Sequence, residues 1–171
     1  MRFDVLLLAA LPSVMAAKLA YSPPASLLSM ASAEDSDCTL PAEYKIQNFH
    51  AQSNNTGSTL DAFDFKYIDA ETQVTTLCHF NETSKSTTPD TLTPRYACED
   101  GEVKFIWEDS EGQLTLIERI CPSDGKAQYE VSGGLQIELV CGRGGSCATN
   151  STSQVAKFSS LQPVRDPTLR V

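Results

Sequence analysis

Residues 60–78 read LDAFDFKYIDAETQVTTLC, and the fold turns on how this stretch is read. Phe63, Phe65 and Tyr67 alternate with Asp64 and Lys66. A period of two places aromatic rings on one face and charges on the other, as in a half-buried antiparallel strand. Asp69-Ala70-Glu71 then breaks the pattern as a turn, and Val74, Cys78 and Phe80 resume it. The stretch is therefore a predicted hairpin.

The same period recurs along the chain. EYKIQNF (43–49) sets Tyr44 and Ile46 on one face, and EVKFIWE (102–108) offers Val103, Phe105 and Trp107. QLTLIERI (113–120) offers Leu114, Leu116 and Ile120, and AQYEV (127–131) offers Ala127, Tyr129 and Val131. LQIELVC (135–141) aligns Leu135, Ile137, Leu139 and Cys141, and a weaker strand is expected over 154–161. Gly133-Gly134 reads as a turn between the sixth and seventh of these strands. No segment beyond the N-terminus carries a convincing helical period. About eight short strands in one domain predict an all-β, antiparallel barrel or sandwich, which the pattern alone does not separate. The expected core comprises Ile46, Phe63, Phe65, Val74, Phe105, Trp107, Leu116, Tyr129, Ile137 and Leu139.

The N-terminus has another character. Arg2 precedes an apolar stretch from Val5 to Ala17, with Val14 and Ala16 in the −3 and −1 places of a signal-peptidase site. It is shorter than the roughly 20 residues a bilayer demands, so residues 1–17 read as a cleaved secretory signal. Residues 18–37, rich in Ser, Ala and Pro, read as a flexible leader. Residues 38–164 form the folded domain and 165–171 a frayed tail. The expectation is a secreted, extracellular protein.

Cysteine usage agrees. All six cysteines lie downstream of the signal, at 38, 78, 98, 121, 141 and 147. An even count in a secreted chain implies disulfides, with fifteen pairings open to three bridges. A Cys78–Cys98 bridge would close the Ser/Thr/Pro-rich loop between them. In CGRGGSC (141–147) the glycines let the chain reverse tightly, so Cys141 and Cys147 read as a staple. A redox pair would favour C-x-x-C before a helix, and ATNSTSQV follows instead. Sequons at Asn54, Asn81 and Asn150 mark candidate glycosylation sites, and the disulfide-stapled domain reads as a glycoprotein.

Signs of catalysis are scarce. The chain has two histidines. His50 lies at a strand end beside an Asn-rich turn, and His79 lies inside a strand on the face opposite Cys78. No nucleophile signature surrounds any serine, so both histidines read first as surface or packing residues. The cysteine spacings form no zinc knuckle, and H-E-x-x-H is absent. EDSD, CEDGE and EDSEG lack the spacing of an EF-hand loop and read as solvated turns. No catalytic residue, metal site or cofactor is expected. A net charge of −9, with no basic stripe, argues against nucleic acid. No mature segment is long and apolar enough to suggest a membrane span.

The order and spacing of CTLPAEYKIQNFHA, LDAFDFKYIDAETQVTTLC, RYACEDGEVKFIWE, GQLTLIERIC, GGLQIELVC and GGSC resemble a fungal family. It is the secreted β-barrel family named for the major allergen of Alternaria, which includes plant-defence elicitors and effectors. The likeness spans roughly Cys38 to Val164 and carries no catalytic motif. It implies a disulfide-stapled barrel without enzymatic activity, a virulence factor that binds plant defence proteins or small phenolic ligands in the host apoplast. Some relatives self-associate through a cysteine near the mature N-terminus, which makes a homodimer an open expectation. The even count here lets Cys38 pair internally instead, with Cys121 as the expected partner. The expected contact surfaces are the loops at 52–59, 81–97 and 142–153. A glycan hydrolase working through paired carboxylates is one alternative. A self-associating cell-wall protein is another.

Overall fold

The computed structural model describes residues 19–33, 36–53 and 59–164. The expected signal (1–17), the sequon at Asn54 and the tail (165–171) lie outside them. In chain order the elements are helix α1 (Ala25–Ala31) and strands β1 (Glu43–Ser53), β2 (Leu60–Asp69), β3 (Val74–Phe80), β4 (Tyr96–Ala97), β5 (Val103–Glu108) and β6 (Gln113–Ser123). They continue with β7 (Lys126–Gln136), β8 (Leu139–Cys141), β9 (Ser146–Thr149), β10 (Ser153–Lys157) and β11 (Ser160–Pro163). The chain is all-β, with two antiparallel sheets.

One sheet runs β3-β2-β1-β9-β8, and β10 also pairs with β1. The other runs β11-β7-β6-β5-β4. β1 is long enough to hold two partners on one edge: residues 43–47 face β10 and residues 50–52 face β9. The sheets are stitched at both margins. On one side β10 turns a corner into β11, where Phe158 N–H donates to Ala42 O (3.0 Å) and Ser159 N–H to Ser132 O (2.8 Å). On the other, Glu99 N–H donates to Leu77 O (2.8 Å), Asp100 N–H donates to Thr76 Oγ1 (2.9 Å), and Cys78 bonds Cys98.

Several elements differ from the sequence pattern. Gly133 and Gly134 make no turn; β7 runs straight through them and pairs with β6 from Lys126 to Gln136. Gly133 lies where the β10–β11 corner presses on the strand, and Gly134 lies under the Gln113 side chain of β6. A Cβ on Gly133 would stand 2.2 Å from Lys157 O. The expected strand 135–141 is consequently divided between β7 and the short β8, and the expected strand 154–161 between β10 and β11. β9 lies inside the expected loop 142–153, and β4 closes the loop 81–97.

Within residues 18–37, α1 lays Leu27 fully into the core, and the Tyr21 hydroxyl donates to Pro41 O at 2.7 Å. The disulfides are Cys38–Cys121, Cys78–Cys98 and Cys141–Cys147. The first ties the segment after α1 to the end of β6. The core between the sheets has two ends. Tyr44, Tyr67 and Phe158 fill one. A run of rings fills the other, Phe49 stacking on Phe63 (5.4 Å) and Phe63 on Phe80 (5.2 Å), with Phe105 and Trp107 meeting Phe63 from the facing sheet. Of the expected core, Ile46, Phe63, Phe65, Phe105, Leu116 and Ile137 are buried. Val74, Trp107, Tyr129 and Leu139 pack against it partly exposed.

Candidate functional site

The outer face of the six-stranded sheet carries a row of three chemically capable side chains. His50 on β1 stands opposite Asp64 on β2, and Asp64 stands opposite His79 on β3. Residues paired across adjacent strands project to the same side, and all three are exposed. His50 points outward because of a bulge. Tyr44 and Ile46 are buried at even positions; the register then shifts between Gln47 and His50, after which Phe49 and Ala51 are buried at odd ones. Asn48 absorbs the extra residue with φ 53° and donates its N–H to Thr152 O at 3.0 Å. Asparagine tolerates this left-handed conformation better than most side chains. Without the bulge, His50 would share the inward phase of Tyr44 and Ile46.

Around the row lies a groove of about 400 Å³. Gln52, Asn81 and Ser146 contribute to its polar walls, and Phe63 and Phe80 line it from the ring-filled end of the core. Loops converge here. Gly145 O accepts from Ser53 N–H (2.8 Å), and Gly144 O accepts from Gln52 Nε2 (3.0 Å), so the Cys141–Cys147 tip is fastened to the end of β1. Gly145 has φ 83°, and a Cβ there would lie 2.3 Å from Ser53 O, so only glycine fits. On the opposite wall the Asn81 side chain accepts from both Thr83 N–H (2.8 Å) and Thr83 Oγ1 (2.7 Å), fixing the start of the loop after β3. A second groove of about 350 Å³, lined by Asp61, Glu82 and Thr83, adjoins it. Farther along, Arg95 pairs with Glu130 (2.9 Å), anchoring the end of that loop to β7 on the facing sheet.

Two carboxyls do approach each other, in the core. Glu118 and Asp69 are each 1% exposed. The Tyr67 hydroxyl donates to Glu118 Oε2. Burial pushes the Glu118 carboxyl up to about 7; the Tyr67 hydrogen bond opposes this and the Asp69 charge adds to it. Asp69 Oδ1 accepts from Glu71 N–H (2.7 Å) and Thr72 N–H (3.2 Å), while its Oδ2 faces no donor unless Glu118 holds a proton. A glycosidase places its two carboxyls on either side of a scissile bond in an open cleft. This pair is sealed between the sheets.

Among the described residues, no group of three or more His, Cys, Asp or Glu side chains is placed to hold a metal ion. The acidic turn EDSEG serves the fold: Asp109 Oδ1 accepts from Trp107 Nε1 (2.6 Å) and Leu60 N–H (3.2 Å). Asn81 and Asn150 are exposed. Nothing local in the sequence marks Asp64 as a site residue, although the alternation around Phe63 and Phe65 turns it outward. Laying β1, β2 and β3 side by side as a meander is what aligns it with both histidines.

Fold and groove together define a disulfide-stapled, two-sheet antiparallel β protein. No helix among the described residues is long and apolar enough to cross a membrane. No protein-family model matches the chain, and no curated protein matches it. Two solved structures of the Alternaria alternata allergen Alt a 1 are similar. The first has a TM-score of 0.50 and 15% identity, over 71% of this chain and 88% of the allergen. The second has a TM-score of 0.48 and 13% identity, over 72% and 95%. At 15% identity the first match establishes a shared fold.

Proposed function

We propose that this protein is a secreted, non-enzymatic binding protein of the allergen and effector type, which presents the groove over β1–β3 to an extracellular host protein. The observation that carries the reading is the convergence of three chain segments, at Gln52, Asn81 and Ser146, around one open groove on a covalently braced sheet. Loops held by a rigid scaffold are the usual carriers of recognition. An open groove suits a protein surface better than an enclosed small molecule. Three disulfides fit an oxidising, extracellular compartment. The burial of the Asp69–Glu118 pair weighs against the hydrolase alternative.

The test is capture from plant apoplastic fluid by the oxidised protein, compared with two variants. Ala62→Arg fills the groove, and Ser160→Arg places the same charge on the facing sheet. The reading expects a defined host protein to be retained by wild type and Ser160→Arg and lost with Ala62→Arg. Equal capture by all three, or turnover of a glycan or ester substrate, contradicts it.

A further inference from the structure

We propose that the Cys141–Cys147 disulfide is a thiol-exchange site, at which a small anionic thiol such as glutathione attacks Cys141 and opens the tip beside the groove. The disulfide is the target of the exchange rather than the redox pair of an oxidoreductase. The proposal holds whether or not the groove binds a host protein.

The first ground is access. Of the six half-cystines, Cys38, Cys78, Cys98, Cys121 and Cys147 are buried, and Cys141 alone is exposed. Exchange requires an incoming thiolate to reach a sulfur, so access selects which bond reacts. The turn leaves the approach open. Gly142 and Gly144 carry no side chain, and nothing lies within 4 Å of where a Cβ on Gly144 would stand.

The second ground is charge. The attacking species is a thiolate. A chain of net charge −9 repels one, but residues 141–147 hold no acid and one cation, Arg143. Arg143 is exposed, and among the described residues it makes no ion pair. It gives the tip a local positive charge that favours the approach of a thiolate carrying further carboxylates.

The thiolate sulfur bonds to Cys141 Sγ, and the bond between Cys141 and Cys147 breaks. Its electron pair leaves with Cys147 as a thiolate, which takes back from solvent the proton that the incoming thiol released. Gly145 O, 3.4 Å from Cys147 Sγ, is placed to accept the hydrogen of the resulting thiol. A second thiol displaces Cys141 from the mixed disulfide and completes the reduction, the two external thiols ending as their own disulfide.

The third ground is what the bond closes. Cys141 ends the three-residue β8 at the edge of its sheet, directly opposite Cys147 on β9. β9 is held to β1 through Ser146, Cys147 and Ala148, so opening the bond frees the Cys141 end and leaves Cys147 in place. Between the two run Gly144 and Gly145, whose carbonyls accept from Gln52 Nε2 and Ser53 N–H at the end of β1. Loss of the covalent closure loosens that wall of the groove.

The test incubates the oxidised protein with reduced glutathione at about pH 8, where a fair share of an ordinary thiol is ionised. Samples taken over time are quenched with acid, alkylated and mapped by peptide mass. The proposal expects glutathione on Cys141 and an alkylated Cys147, appearing at least about tenfold faster than any opening of the other two disulfides. Arg143→Glu, a change at an exposed position whose fold circular dichroism verifies, should slow the reaction with glutathione more than that with mercaptoethanol, whose thiolate carries no further charge. Hydrogen exchange of the Ser53 amide should be faster in the adduct. Opening of Cys38–Cys121 or Cys78–Cys98 at an equal or greater rate, or an adduct on Cys147, would overturn the site. An unchanged glutathione rate in Arg143→Glu would overturn the preference for an anionic thiol, and unchanged protection at Ser53 would overturn the link to the groove.

Discussion

Tyr67 on the six-stranded sheet donates its hydroxyl hydrogen to Glu118 on the five-stranded sheet, and neither side chain reaches solvent. The Glu118 carboxyl is raised from 4.5 to about 7, chiefly by burial. The folded state therefore holds a proton that the unfolded chain releases near pH 4.5. The resulting stability is full below about pH 4.5, declines as the pH rises toward 7 and is absent above it. The full difference is about 3 kcal/mol. Urea midpoints measured from pH 4.5 to 8 should fall for wild type relative to Glu118→Gln, whose neutral amide does not titrate. Parallel curves for the two proteins would show that Glu118 is not the group responsible.

The three disulfides should differ in worth. In the chain-entropy model stabilisation grows with the loop enclosed, and the sequence separations are 83, 20 and 6 residues. Replacing Cys38 and Cys121 together by alanine should cost about 4 to 5 kcal/mol, and replacing Cys141 and Cys147 about 2 kcal/mol. Thermal unfolding without reductant measures both, and equal losses would refute the ranking.

Gly133 lies where the β10–β11 corner touches β7, and a Cβ there meets backbone. Gly133→Ala should destabilise by about 1 to 3 kcal/mol, the range of overpacked sites. Gly101→Ala, with nothing within 4 Å of its Cβ, serves as the control and should change stability little.

Asn48 controls which residues of β1 face the groove. Asn48→Val places a β-branched side chain at φ 53° and should cost about 1 to 2 kcal/mol. Asn48→Gly should be nearly neutral, since glycine accepts that conformation. Chemical denaturation distinguishes them. A valine variant as stable as the glycine one would mean that the bulge does not depend on backbone strain.

The strands were legible because alternation survives wherever one face is buried. Phe63, Phe65 and Tyr67 sit inward as their spacing indicates, and Leu114 and Leu116 do likewise. The same phase runs on to Asp69 and Glu118, and there the sequence misleads only if polar residues are assumed to lie outside. Phe49 was out of step with Ile46, and that break was the trace of the bulge. Gly133-Gly134 misread as a turn because glycine marks close backbone approach as well as reversal. β9 was hidden because Ser146, Ala148 and Thr149 give weak alternation; its place comes from pairing with β1 and β8. The groove was hardest to see, since it depends on register between strands that single-strand periodicity does not carry.

Cys78–Cys98 ties the two sheets at one margin and Cys141–Cys147 braces the tip beside the groove, so covalent bonds hold the groove's walls in place. Peptide mass mapping of the unreduced protein reads these bonds out. The expected map is Cys38–Cys121, Cys78–Cys98 and Cys141–Cys147 with no free thiol. Free thiols, or any other pairing, would contradict it.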